Sequence, residues 1–207
     1  MRTDPSIKNL IFDLGGVILD LSIDSALQSI ADISGMDSNR VKQLFVESPG
    51  FEAYEKGEIT DVEFRDFVRK VYDIDASDEV LDKCWNAMLV NIPLVKLELL
   101  DELKKTHNVF LLSNTNDIHV HHINTILLPR VTERSLEDFF HHAYYSHTMK
   151  MRKPDAEIFQ KVLDLENLNP SQTLFLDDNE ANIEGASKLG IQTLHVVSPN
   201  MILDYFS

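Results

Sequence analysis

Acidic, hydroxyl and ammonium side chains that could act together lie far apart in this 207-residue chain. Asp13 stands at the end of the apolar run KNLIFDL (8–14), and Ser113 closes VFLLS (109–113). Asp177 closes TLFLD (173–177), Asp178 follows it, and Lys153 lies in the loop segment MRKPD. Charged groups beside otherwise apolar runs are costly unless they are paired or functional. In an open α/β sheet, ligands bind just outside the carboxyl ends of the strands, so these side chains can converge across long gaps. In so acidic a chain any anionic ligand would have to be held by a local site working against the overall field, and a magnesium ion would be one way to do it.

The elements that must position them follow from the hydrophobic pattern. Each run named above reads as a buried strand, as does IQTLHVV (191–197), with a weaker one at HAYYS (142–146). Helical patterns precede three of them: Val95 to Leu103, Ile158 to Leu163, and Ile183 to Leu189 with Gly190 as a stop. Strands alternating with helices predict a parallel sheet covered on both faces.

Residues 20–92 behave differently. Ala26, Leu27, Ile30 and Ile33 form one apolar stripe ended by Gly35. Thr60 and Glu63 fit a capping box ahead of Phe64, Phe67, Val68, Val71 and Tyr72. Ser77 can cap a helix carrying Val80, Leu81, Cys84, Trp85 and Met88. No strand is expected there. The block holds 16 acids against 7 bases, the more acidic part of the chain.

Composition narrows the partners. Asp+Glu 34 against Lys+Arg 19 leaves a formal charge of −15, which argues against a nucleic-acid or anionic-membrane surface. No stretch is apolar enough for a membrane span, and Met1 to Lys8 lacks the apolar run of a signal peptide. The single cysteine, Cys84, makes no intrachain disulfide, so a reducing, cytoplasmic setting is expected, with the chain a monomer or homodimer.

Four segments, IFDLGGV (11–17), LLSNT (111–115), MRKPDAEIF (151–159) and FLDDNEANIEGA (175–186), resemble, in family order, the haloacid dehalogenase (HAD) superfamily of Asp-nucleophile phosphohydrolases. Within it, the phrases are most similar to those of bacterial sugar phosphatases acting on α-D-glucose 1-phosphate. The resemblance implies an α/β Rossmann-like core, residues 1–19 and 93–207, with an all-helical cap, 20–92, inserted after the first strand. It also implies a Mg2+-dependent phosphomonoester hydrolase acting on a small phosphorylated metabolite. Asp13 would be the nucleophile, Ser113 a hydroxyl donor and Lys153 the balancing cation. Asp13, the Gly15 carbonyl and Asp178 would ligate the metal, with Asp177 also in the metal set but more suited to orienting Lys153 or a bound water. Gly15, Gly16 and Asn114 would meet the phosphate. Glu55 and Lys56, in the cap segment YEKGEIT, would face the substrate.

One position departs from the pattern. Phosphatases of this superfamily mostly carry an acid two residues after the nucleophile, and here that residue is Gly15. General acid–base help is worth about 10²–10⁴-fold, so its loss needs a good leaving group or a substitute acid. It also leaves open a binding protein that has lost turnover. A halide-removing hydrolase would use the same nucleophile, but has no need of a metal at Asp178. The histidines His119, His121, His122, His141, His142 and His147 mostly lack zinc-site spacing and are expected at the surface or facing a partner.

Overall fold

The computed structural model describes residues 4–207. Strand β1 (Asn9–Phe12) is buried along its whole length. The chain then leaves the sheet through β2 (Asp20–Leu21) into helices α1 (Ile23–Ser34), α2 (Ser38–Glu47), α3 (Gly50–Glu55), α4 (Asp61–Tyr72) and α5 (Asp78–Asn86), returning by β3 (Leu89–Asn91). There follow α6 (Leu94–Leu103), β4 (Asn108–Ser113), α7 (Asp117–His122), β5 (His142–Tyr145), α8 (Ser146–Met149) and α9 (Ala156–Glu166). The chain closes with β6 (Thr173–Asp177), α10 (Glu180–Ser187), β7 (Gln192–His195) and α11 (Met201–Tyr205).

The five long-range strands form one parallel sheet in the order β5-β4-β1-β6-β7. Successive residues of a strand point to opposite faces, and both faces here are covered. Leu10 and Phe12, Val109 and Leu111, and Leu174 and Leu176 pack into one apolar cluster, which continues into the cap. Ile11, Phe110, Leu112 and Phe175 pack into a second cluster with Ile158, Phe159 and Val162 of α9. This two-sided burial is why the runs are continuously apolar rather than alternating.

Chain order reverses at β1. From it the chain moves to β4 and β5 on one side, then crosses back to β6 and β7 on the other. Phe12 is level with Leu111 and with Leu176, so the next residues of all three strands emerge at one edge. Such a switch point opens a crevice at the carboxyl ends.

The block expected to be helical is helical apart from its base. β2 and β3 pair antiparallel, Asp20 with Asn91 and Leu21 with Leu89, making a short ribbon at the root of the five helices. Strands of two and three residues carry no readable period, which is why the sequence conceals them. Lys96 of α6 is fully buried and reaches Asp20 at 3.1 Å, tying the ribbon to the sheet side. The Thr60–Glu63 capping box is formed, and Gly35 stops α1 at φ 70°. Phe51 packs edge-on against Phe64 and stacked on Trp85, with Phe64 and Trp85 tilted to each other, at the centre of the helical block.

Candidate active site

Asp13, one residue past β1, lies between the ends of β4 and β6. Its Oδ1 is 2.8 Å from Lys153 Nζ, which also donates to Asp177 Oδ2 at 2.6 Å. Lys153 is 1% exposed, so its charge depends on these two carboxylates. Burial acts to lower its pKa, and Asp13 and Asp177 more than reverse this. Asn114 fixes the loop that delivers it: Asn114 Nδ2 donates to Lys153 O, and Lys153 N donates to Asn114 Oδ1, both at 2.9 Å.

Asp177 is the saturated member of the group. Besides Lys153 it accepts from Asn179 N at 2.8 Å and, through both oxygens, from Asn182 Nδ2 at 3.0 Å. Asp178 is exposed, and carboxylate oxygens of Asp13, Asp177 and Asp178 lie within 4.8 Å of one another. With Lys153 counted, three carboxylates and one ammonium leave two uncompensated negative charges. Burial pushes the Asp13 carboxyl up to about 7, with Lys153 pulling it down and Asp177 raising it further. Burial raises Asp178 too, with help from Asp177.

A hard divalent cation fits this donor set. Oxygen ligands and surplus negative charge are what Mg2+ needs. The Gly15 carbonyl accepts no hydrogen bond from the described residues, so it is available as a further donor.

A cavity of about 360 Å³ opens above these groups. Asp13, Gly15, Ser113, Asn114, Lys153 and Asp178 line it from the sheet side. From the helical block come Phe45, Glu55 and Trp85. The Ser113 hydroxyl has only a long, 3.5 Å contact to Asn114 O, so it remains free for a ligand oxygen.

Two expected ligand-binding residues are placed otherwise. Gly16 N is committed to Leu19 O at 2.8 Å, and the residue sits at φ 72°. A Cβ there would lie 2.2 Å from Asp178 Oδ2. Gly16 therefore makes room for the acid rather than binding phosphate. Lys56 does not line the cavity; its ammonium pairs with Glu52 at 2.9 Å. The segment YEKG is also only partly a loop, since Tyr54 and Glu55 complete α3.

Arg152, Asn182 and His119 also line the cavity, and the sequence reading gave none of them a place in the site. Arg152 and Asn182 fall inside MRKPDAEIF and FLDDNEANIEGA, and that placement was the available signal. Two histidines expected at the surface are buried, His119 and His147. His147 spans Thr115 O and Asp117 Oδ1, both at 3.1 Å. His119 stacks on Trp85 with ring centroids 5.0 Å apart, its Nε2 3.4 Å from Trp85 O and its Nδ1 3.2 Å from Asn116 Nδ2.

Burial pushes the His119 imidazole down to about 3, against the Trp85 carbonyl and with help from His122. Its folded pKa is below its unfolded one, so this contribution is complete above about pH 6.5 and is lost as pH falls toward 3. The metal-free protein is expected to lose roughly 2–3 kcal/mol from this group by about pH 4.5. Parallel urea titrations of the parent and His119→Gln at pH 7.5 and 4.5 measure it. An equal loss in both proteins refutes the assignment.

A family model described as haloacid dehalogenase-like hydrolase matches residues 7–190. The chain belongs to the haloacid dehalogenase-like hydrolases. A D-ribitol-5-phosphate phosphatase of Bacteroides thetaiotaomicron is 30% identical over 189 residues, 90% of each chain. A HAD family enzyme of the same organism, solved with magnesium and inorganic phosphate, superposes at a TM-score of 0.84. It shares 39% identity over 91% of this chain and 93% of its own. A predicted HAD-like hydrolase of Porphyromonas gingivalis superposes equally well, TM-score 0.84, at 28% identity over 94% and 91% of the two chains. This HAD-like hydrolase is thus of the phosphatase kind by its relatives. The finer likeness to glucose-1-phosphate enzymes finds no counterpart among them. Among the described residues no helix is long and apolar enough to cross a membrane.

Proposed function

We propose that this HAD-like phosphatase is a Mg2+-dependent phosphomonoester hydrolase acting on a small phosphorylated sugar or sugar alcohol, through an aspartyl-phosphate on Asp13. The observation that carries this reading is Lys153 Nζ bridging Asp13 and Asp177, with Asp178 beside them and Ser113 on the same cavity rim. The cavity volume of about 360 Å³ suits a ligand of metabolite size. The D-ribitol-5-phosphate relative supports a polyhydroxylated carbon chain as the part carried by the phosphate.

The roles follow from position. Asp13 Oδ attacks phosphorus, dividing one displacement into two easier ones. Lys153, held immobile by two carboxylates, keeps a positive charge beside the reacting oxygens at no cost in reorganisation. The Ser113 hydroxyl donates to a phosphoryl oxygen. A cation held by Asp13, Asp178 and the Gly15 carbonyl would neutralise charge as an anion approaches a dianion. Water then attacks the phosphorus and regenerates Asp13. Trp85 and Phe45 close the other wall, limiting competing water.

Phosphate release is expected from some members of a panel containing p-nitrophenyl phosphate, D-ribitol 5-phosphate and glucose 1-phosphate when Mg2+ is present, and EDTA should abolish it. Release that is indifferent to EDTA would overturn the metal assignment. No release from any phosphate ester would favour the second reading, a binding protein that lost turnover, which rests on Gly15. A halide-removing activity is disfavoured by the surplus acid at Asp178, for which carbon–halogen displacement has no use.

A further inference from the structure

Gly15 has no side chain to move protons, yet a phosphate ester of an ordinary alcohol leaves as a strongly basic alkoxide. The cavity holds few groups able to help. Asp13 is the nucleophile, Lys153 is fixed between two carboxylates, and Asp178 faces the metal position. His119 has both ring nitrogens against neighbours, Trp85 O and Asn116. One titratable side chain of the cavity remains, and it comes from the helical block.

We infer that Glu55, at the end of α3, is the general acid and base of this enzyme, taking the role that Gly15 leaves vacant. Both hydrogen bonds from Arg152 end on one oxygen: Nη2 and Nε reach Glu55 Oε2 at 2.8 and 3.1 Å. Oε1 accepts no hydrogen bond from the described residues, and Glu55 lines the same cavity as Asp13 and Ser113. Arg152 adjoins Lys153, so the pair sets a cap-side carboxyl against the segment that carries the catalytic cation. Two further contacts keep α3 and its turn on that segment: Lys150 Nζ donates to Gly57 O, and Lys56 lies 4.0 Å from Asp155. Burial raises the Glu55 carboxyl above its ordinary value, with Arg152 opposing, Glu52 adding and Lys153 subtracting. A carboxyl so raised keeps its proton to a higher pH than a free glutamate does.

The step balances. The Asp13–phosphorus bond forms as the bond from phosphorus to the leaving oxygen breaks, and the Glu55 proton passes to that oxygen, releasing a neutral alcohol. Glu55 is then a carboxylate. Water attacks the aspartyl-phosphate, gives its proton to Glu55, and Asp13 departs as a carboxylate, restoring the starting state.

This assignment rests on the phosphatase reading, and leaving-group dependence separates the two. kcat/KM covers the steps through phosphoryl transfer to Asp13, and nitrophenolate leaves without protonation whereas an alkoxide does not. For Glu55→Gln, kcat/KM on D-ribitol 5-phosphate, or on the best alkyl phosphate found, should fall roughly 10²–10⁴-fold. On p-nitrophenyl phosphate it should change by less than about 5-fold, which also reports a folded site, and kcat should fall with a burst of nitrophenol as water attack becomes limiting. Glu55→Asp, keeping the acid on a shorter stem, should recover part of the alkyl activity. Equal losses on both esters would mark Glu55 as a positioning residue, and no loss on either would remove it from the chemistry; both outcomes overturn the inference. A parent protein that hydrolyses neither ester sinks the phosphatase reading instead.

Discussion

Asp13→Asn should lower phosphate release by on the order of 10⁴-fold or more while leaving the protein folded and at least as stable. The loss follows from chemistry: an amide oxygen is a poor nucleophile toward phosphorus, and no other carboxylate shares both Lys153 and the ends of β1, β4 and β6. Stability behaves in the opposite sense. Burial pushes the Asp13 carboxyl up to about 7, and Lys153 does not fully offset that. A raised folded pKa means that this group's contribution is complete below about pH 4 and is lost as pH rises through 7. Asparagine has nearly the same shape, still offers Lys153 an acceptor, and carries no charge to bury. In metal-free protein the variant's melting temperature should therefore match or exceed the parent's above pH 7, the gap closing toward pH 4. Acid-quenched protein analysed by mass should show phosphate on the parent and none on the variant. Undiminished turnover would end the nucleophile assignment.

The polar edge of the sheet was legible because strand ends are local. A carboxylate or hydroxyl terminating an apolar run announces itself in five residues, and Asp13, Ser113 and Asp177 each do so. The sheet, its doubly covered faces and the helical block follow from period and length. What stayed hidden joins distant residues. Arg152 and Glu55 stand 97 apart in sequence, and nothing local marks either as facing the other. The β2–β3 ribbon is too short for a period to show. His119 and His147 lack zinc-site spacing, which is why they were expected at the surface or facing a partner. Each is satisfied by backbone or side-chain partners from its own neighbourhood, and that satisfaction is tertiary. The resemblance implied a phosphate contact for Gly16. Its reason is a steric one that only Asp178's position reveals.

Lys153→Met should be the most disruptive single change to stability, and it should cost activity as well. The methionine stem fills nearly the same volume, so the effect isolates the charge. Without the ammonium, Asp13 loses its 2.8 Å partner, and Asp177, fully buried, loses the nearest of its donors at 2.6 Å. Breaking a buried pair from one side costs about 3–5 kcal/mol, because the remaining charge keeps its desolvation penalty without the attraction. Asn179 and Asn182 still donate to Asp177, which places the expected loss at the lower end. Asp13 has less support, a backbone hydrogen bond from Leu14, and will take up a proton more readily, so the variant should lose stability steeply as pH rises toward 8. Mg2+ should return part of it, since a divalent cation among Asp13, Asp177 and Asp178 supplies the missing positive charge. Turnover should stay at least about 10²–10³-fold below the parent's even then, because a preorganised donor beside the reacting oxygens is gone. Chemical denaturation with and without Mg2+ at two pH values measures the first part. A variant as stable as the parent under all four conditions would mean that the three carboxylates do not share one electrostatic site, and the proposed phosphoryl chemistry would lose its physical basis.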